Sequence, residues 1–180
     1  MIIISRFNFM KKYLLIHVLF FLLIGKVISQ NCASGKERVI CVNSSFEKEV
    51  LKLTNKERKK KGLRPLKLNK MLTYSARYHA KDMAMDDYFE HSSYNRNKTG
   101  RLKEGCSTFE RIGAFIIFPY MAENISAGQQ TPQLVLKAWM KSKGHRKNIL
   151  SKDYSEIGIG YYYSNDSEYR YYWVQNFGGE

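Results

Sequence analysis

Three side chains in this sequence are candidates for chemistry: two histidines and one carboxylate. His91 and His145 each lie just beyond a predicted helix, in FEHS and GHRKN, where an imidazole can reach a cleft. Glu123 lies beside Asn124 in AENI, a polar pair in an otherwise apolar stretch. Two imidazoles and one carboxylate can hold a divalent transition metal with open positions. They can also form a hydrogen-bonded network that joins three chain segments. Spacing alone favours the network, because nothing local brings the three residues together.

The first two elements that must position these residues are helices. A first helix is predicted from Ser44, in a capping box with Glu47, to Gly62 at its C-cap. A second helix is predicted over about Asn69–Phe89, because apolar residues recur there at helical spacing. Residues 92–105 are polar and charged, which predicts a loop.

The second half of the chain changes from helical to strand periodicity. A short helix is expected within Phe109–Tyr120, and a third helix opens at Thr131-Pro132 and ends at Gly144. Two aromatic and β-branched runs, Ile157–Tyr163 and Tyr169–Phe177, flank a turn cluster and predict a hairpin. Helices followed by a sheet indicate the α+β class.

Two other features have both a structural and a functional interpretation. His79 lies inside the second helix and is predicted to be a half-buried helical residue rather than a ligand. The basic run Lys56–Lys61 (KERKKK) ends the first helix, where cations suit the helix dipole. A solvated helix end explains that run, and a polyanion-binding patch is the alternative.

The N-terminus is typical of a secretion signal. Residues 1–31 hold basic residues, the short apolar run YLLIHVLFFLLIG and a polar end, and Met10 is an alternative start. The apolar run falls short of the roughly 20 residues that a spanning helix needs, so a permanent anchor is the weaker interpretation. Removing this segment lowers the formal net charge from +14 to +10, because it holds four basic residues and no acidic one.

Three cysteines are an odd number for an exported chain. Cys32 directly follows the signal, where bacterial lipoproteins carry an acylated cysteine. The preceding ISQN departs from the usual lipobox but is similar to the looser boxes of spirochaete lipoproteins. Lipidation of Cys32 would leave Cys41 and Cys106 as a pair, either bridged in an oxidising compartment or as two free thiols. Residues 32–43 are then expected to be a tether, and residues 44–180 the single folded domain.

Several motifs in order resemble the CAP superfamily of cysteine-rich secretory, antigen 5 and pathogenesis-related proteins, whose bacterial members have an SCP-like domain. The resemblance covers Ser45–Gly178 without large gaps and includes ARYHAKDMAMDDYFEHSS, MAENISAGQQTP, AWMKSKGHRKNIL and EIGIGYYY. It implies a CAP-type α-β-α sandwich. An envelope-anchored member would resemble spirochaete surface lipoproteins.

The resemblance also implies a cavity with two histidines and two glutamates. By motif, His91 and His145 match the histidines and Glu123 matches the first glutamate. Ser142 stands where the second glutamate is common, so the tetrad is reduced to three. Nearby Lys141 and Arg146 disfavour a cation further. No cofactor is therefore required, and Zn²⁺ or another divalent cation would be held weakly.

These observations favour a non-catalytic, exported, membrane-anchored binding module, monomeric, at the outer membrane or cell surface. Its expected ligand is a lipid or sterol, a polyanion or a host protein, because a basic surface attracts acidic partners. Nucleic acid is not expected for an exported chain. The alternatives are a metal-dependent hydrolase that uses the His/Glu cleft and a mainly structural envelope protein.

Overall fold

The computed structural model describes residues 32–180, so the predicted signal peptide, residues 1–31, lies outside the described residues. The helices of the described part are α1 (Ser44–Lys60), α2 (Lys70–Met85), α3 (Thr108–Phe115), α4 (Pro132–Lys141) and α5 (Lys143–Ile149). The strands are β1 (Lys67–Leu68), β2 (Ser93–Arg96), β3 (Leu102–Cys106), β4 (Tyr120–Ala127), β5 (Glu156–Tyr163) and β6 (Tyr171–Gly179). Of the described helices, none has the length and apolar character to cross a membrane.

A four-stranded sheet forms the middle layer, in the order β1-β5-β6-β4. Strand β1 runs parallel to β5, and the pairs β5–β6 and β6–β4 are antiparallel. Because side chains alternate along a strand, Ile159 and Trp173 face α1, α4 and α5, whereas Tyr172 and Val174 face α2. The predicted α-β-α sandwich and the C-terminal hairpin are confirmed.

Helix α2 lies unusually close to the sheet because two glycines of β5 face it. A Cβ on Gly158 would fall 2.0 Å from the Leu72 carbonyl carbon, and one on Gly160 would fall 2.3 Å from that of Ala76. Alternate residues of β5 therefore contact the helices on opposite sides of the sheet. Its isoleucines fill the core on one side, and its glycines admit the helix backbone on the other.

The start of α1 differs from the predicted capping box. Asn43 is the N-cap, and its Oδ1 accepts from the Phe46 amide at 3.1 Å. Glu47 does not reach back to the cap, because both of its oxygens accept from Arg77 of α2, at 2.9 and 2.6 Å. The prediction of Ser44 as the cap was wrong by one residue. The predicted end of α1 agrees with the structure, since Gly62 follows the helix in the left-handed conformation, with a φ of +67°.

Two boundaries further along were also wrong. Helix α2 ends at Met85 rather than at Phe89. The predicted loop over 92–105 contains an antiparallel pair, β2 and β3. Hydrophobic periodicity does not reveal this hairpin, because most residues of its strands are polar. The Asn97 side chain organises its turn by accepting from the amides of Thr99 and Arg101.

The third predicted helix is in fact two helices. Helix α4 begins as predicted, with Thr131 as the N-cap and Pro132 in the first turn. It ends at Lys141 because Ser142 is extended, and Gly144 lies inside the following helix, α5. Arg146 stabilises the junction between α4 and α5 by donating to the Met140 carbonyl at 2.9 Å.

A disulfide joins Cys32 to Cys106 at the end of β3. Both alternatives for Cys41 and Cys106, a bridge between them or two free thiols, were therefore wrong, because Cys106 is bonded to Cys32. Lipidation of Cys32 is corrected as well, because a sulfur bonded to another sulfur cannot also form the thioether to a lipid. Cys41 is a free thiol that donates to Glu47 Oε2 at 3.2 Å. Burial and the neighbouring Glu47 raise the pKa of Cys41, so this thiol stays protonated at neutral pH.

Residues 32–43 are irregular, but they are not the free tether that their polarity suggested. Ala33 is buried, and Gly35 lies directly on the Ala114 carbonyl of α3. The Arg38 guanidinium covers the ring of Tyr74 on α2, 4.6 Å from its centroid. The segment therefore packs along α3 and α2, where the disulfide holds its first residue.

Candidate functional site

Glu123 is the centre of a buried polar cluster beside the edge strand β4. Its side chain is only 1% exposed and lies on the α2 side of the sheet. The next residue, Asn124, points to the opposite face because strand side chains alternate. The two residues of the AENI motif thus contact different helical layers.

Arg111 is the main partner of Glu123. It lies on α3 and is fully buried, and its Nη2 donates to Glu123 Oε2 at 2.6 Å. Its Nη1 donates to the His91 carbonyl at 3.0 Å and to the Ser93 hydroxyl at 3.1 Å. One guanidinium therefore joins α3, β4 and the segment that follows α2.

His91 contacts the other oxygen of the same carboxylate. Its Nδ1–H donates to Glu123 Oε1 at 3.0 Å, while 53% of its side chain remains exposed. Thr108 Oγ1 also donates to the His91 carbonyl, at 2.9 Å. The ring is thus held at its inner nitrogen and half open to solvent on its outer side.

His79 completes the buried side of the cluster, deeper than the half-buried position predicted for it. It is fully buried on α2, and its Nε2–H donates to the Glu90 carbonyl at 3.0 Å. The same nitrogen lies 3.9 Å from Glu123 Oε1. Burial, together with the nearby Arg111 charge, lowers the pKa of His79 to about 3. The imidazole is therefore neutral at physiological pH.

Glu123 is ionised in spite of its burial. Burial by itself would raise the pKa of this carboxyl group. The charge of Arg111, the proximity of His79 and the hydrogen bonds from His91 and Arg111 outweigh burial and lower the pKa to about 2. Asn176 on β6 adds a donor 3.0 Å from Glu123 Oε2 when its amide is oriented to satisfy both of its atoms.

Asn124 forms a second network on the other face of β4. Its amide nitrogen donates to the His145 carbonyl at 3.2 Å and to Gln175 Oε1 at 3.1 Å. Asn148 of α5 donates in turn to Asn124 Oδ1 at 2.9 Å and to the Glu123 carbonyl at 3.3 Å. These bonds fix α5 against the edge strand.

His145 belongs to this second network, because its carbonyl accepts from Asn124. It lies in α5 rather than beyond a helix end. Burial lowers the pKa of His145, and the positive charge that His91 carries when protonated lowers it further. His91 therefore acts electrostatically on His145, and of these two imidazoles it is His91 that pairs with Glu123. Ser142 is the N-cap of α5, and its hydroxyl makes no capping bond there.

The donor set does not fit a metal centre built on Glu123. Both carboxylate oxygens already accept hydrogen bonds, one from a buried guanidinium whose charge repels a cation. Across residues 32–180, no group of three or more His, Cys, Asp or Glu side chains is arranged to hold a metal ion.

Arg111 and Asn176 were not among the residues singled out from the sequence. A weak signal for Arg111 exists: it shares a helical face with Ile112 and Phe115, and all three are buried. A basic residue on an apolar helical face predicts a buried partner. Asn176 lies opposite Glu123 in the sheet register, and only strand pairing reveals that.

The family model of the CAP domain, the cysteine-rich secretory protein family, matches residues 51–177. This chain belongs to that family. It is 41% identical to the Bacillus subtilis protein YkwD over 138 residues, which is 76% of this chain and 48% of YkwD. The chain thus spans about half the length of that relative.

Solved structures with the same fold include an extracellular protein of Bacillus anthracis that contains an SCP domain. The match has 26% identity and a TM-score of 0.64, and it covers 77% of this chain and 42% of that protein. An outer surface protein of Borrelia burgdorferi matches with 19% identity and a TM-score of 0.66, over 79% of this chain and 99% of that one. The second likeness shows the shared fold alone.

Proposed function

We propose that this chain is an exported CAP-domain protein that binds a ligand and does not catalyse a reaction. The observation behind this proposal is that Glu123 is buried, paired with Arg111 and ionised. The Glu123 carboxylate is buried and ion-paired to Arg111 at 2.6 Å. Its low pKa makes it a weak proton acceptor. It serves as a structural anchor for three elements, as the network interpretation of the sequence expects.

Export has two independent supports. The Bacillus anthracis structure is of an extracellular protein, and the Borrelia burgdorferi protein is an outer surface protein. The Cys32–Cys106 disulfide suits an oxidising compartment outside the cytoplasm. The signal-like residues 1–31 agree with this assignment. The ligand classes remain those expected from the sequence, a lipid or sterol, a polyanion or a host protein.

A metal-dependent hydrolase is the second candidate, and the geometry of His91 favours it. A carboxylate that accepts from Nδ1–H orients an imidazole for proton transfer at its other nitrogen. His145, whose pKa the charge of His91 lowers, would be the second imidazole of such a site. Two imidazoles without a carboxylate ligand form a poor Zn²⁺ site, since catalytic sites usually have three protein ligands. This candidate therefore ranks below binding alone.

Enzyme assays test the choice between the two. The purified full chain is incubated with Zn²⁺ and with ester, peptide and glycan substrates, beside a His91→Ala/His145→Ala double variant. We expect both proteins to match the background rate of buffer with Zn²⁺. Turnover by the wild type that disappears in the double variant would establish the hydrolase instead.

A further inference from the structure

One stretch of the chain has an extreme charge bias that the His/Glu cleft does not use. Residues 124–152 contain no aspartate or glutamate. They contain six lysines and arginines, and all six are exposed: Lys137, Lys141, Lys143, Arg146, Lys147 and Lys152. The stretch begins in β4, and its six basic residues lie on α4, on α5 and in the turn after them.

The basic end of α1 belongs to the same layer. Arg58 is buried and donates to the carbonyls of Ile149 and Ser151, at 2.9 and 2.7 Å. This contact fixes the end of α1 against the end of α5. Lys56, Lys59, Lys60 and Lys61 surround Arg58 in sequence and are exposed. The basic run at the end of α1, for which a polyanion-binding patch was the alternative interpretation, therefore lies next to the basic residues at the end of α5.

Few acidic groups neutralise this surface. Glu57 of α1 and the lysines Lys137 and Lys141 of α4 line one shallow depression of about 360 Å³. Glu57 is already paired with Lys60 at 2.6 Å. Among the described residues, the six basic side chains of the 124–152 stretch form no ion pair. Lysines at i and i+4, such as 137 with 141 and 143 with 147, lie on one face of a helix.

We infer that this surface of α1, α4 and α5, which we call the basic face, binds an anionic polysaccharide that bears sulfate or phosphate groups. The inference deepens the proposed function and rests on its assignment of the chain as an exported binding protein. Exposed cations on three packed helices, most of them outside any ion pair, match a linear polymer with repeated negative charge, because each contact releases counterions.

A polysaccharide fits better than an anionic bilayer. Helices that bind membranes insert large apolar side chains below the level of their lysines. On α1, α4 and α5, Leu134 is the single large apolar side chain that is exposed in the described part of the chain. The more exposed Ile40 and Ile117 belong to other segments. The basic face therefore offers charge with little surface for insertion.

The test uses the full chain and heparin as the anionic polysaccharide probe. One variant replaces four lysines of the basic face with glutamine: Lys137→Gln, Lys141→Gln, Lys143→Gln and Lys147→Gln. A matched control removes the same charge from other exposed lysines: Lys36→Gln, Lys81→Gln, Lys98→Gln and Lys103→Gln. A third variant changes the same four lysines of the basic face to arginine. Thermal unfolding of each variant is measured beside its affinity.

We expect the first variant to bind heparin roughly tenfold or more weakly at 0.1 M salt, with a smaller dependence of log Kd on log salt. The control and the arginine variant should stay within about threefold of the wild type on the same argument. Equal loss in the first variant and the control would show attraction to net charge alone and would overturn the inference. So would tighter binding to vesicles with anionic lipid than to heparin. Because heparin binding requires no turnover, this result is independent of the hydrolase assay.

Discussion

At the scale of single residues, Glu123 and Arg111 form an ion pair that is closed to solvent on both sides. Each is at most 1% exposed in its side chain, and their closest atoms are 2.6 Å apart. Removing one partner of such a pair leaves the other charge buried without compensation. The pair should therefore be costly to break, whatever ligand the protein binds.

Replacing Arg111 tests this role. Arg111→Met keeps much of the volume of the side chain and removes its charge. We expect the free energy of unfolding to fall by about 3–5 kcal/mol, because the Glu123 charge loses its partner. Arg101→Met, at an exposed position near the β2–β3 turn, should change it by about 0.5 kcal/mol or less. Urea unfolding at pH 7 measures both, and equal effects would contradict the ion-pair role.

The same cluster predicts an acid-sensitive fold. Stability rises with pH wherever the unfolded chain binds more protons than the folded one. His79 meets this condition between its folded pKa of about 3 and its ordinary 6.5, and Glu123 between about 2 and 4.5. The free energy of unfolding should therefore be fully developed above pH 6.5, decline below it, and decline more steeply below pH 4.5.

A single variant separates the two contributions to this pH dependence. His79→Gln removes the imidazole, and its amide can still donate to the Glu90 carbonyl. Between pH 4.5 and 6.5 the variant should show a shallower slope of unfolding free energy against pH, and His145, whose pKa is also lowered, contributes to the slope that remains. Denaturant titrations at several pH values measure the slope. A slope identical to that of the wild type would exclude His79 as a cause.

At the scale of elements, the contact between α2 and β5 determines whether the cluster can assemble. Helix α2 carries His79, and the glycines of β5 let its backbone reach the sheet. A methyl group at Gly160 would overlap the Ala76 peptide, and backbone cannot move aside as a flexible side chain can.

Gly160→Ala should therefore destabilise the fold by about 1–3 kcal/mol or more, the usual cost of overpacking. Gly144→Ala is the matched control. Nothing lies within 4 Å of the point where a Cβ on Gly144 would sit, and alanine is favoured over glycine inside a helix such as α5. The control should be neutral or more stable by up to about 1 kcal/mol. Thermal unfolding of both variants measures these changes. A Gly160→Ala variant as stable as the wild type would show that α2 can shift away from the sheet.

At the scale of the whole molecule, the disulfide closes a loop across 74 positions and anchors the N-terminal segment over α3. Cross-links stabilise mainly by restricting the unfolded chain. The Cys32→Ser/Cys106→Ser double variant should lose about 2–4 kcal/mol of unfolding free energy. Cys41→Ser should keep the disulfide. Peptide mapping of the exported protein without reduction should find the 32–106 link, and a lipid on Cys32 in its place would contradict the structure.

Several elements could be predicted from the sequence because their signals are local. Helices α2 and α4, the C-terminal hairpin and the α+β class follow from periodicity, caps and turn residues, which depend on neighbours a few positions apart, whereas the α-β-α sandwich followed from the motif resemblance. The motif resemblance also identified His91, Glu123 and His145. The tertiary structure decided the partners: Cys106 bonds to Cys32 rather than to Cys41, and Glu123 pairs with Arg111. These pairings depend on which distant segments the packed sheet and helices bring together. The spacing of residues along the chain does not reveal how close such segments lie in the folded protein.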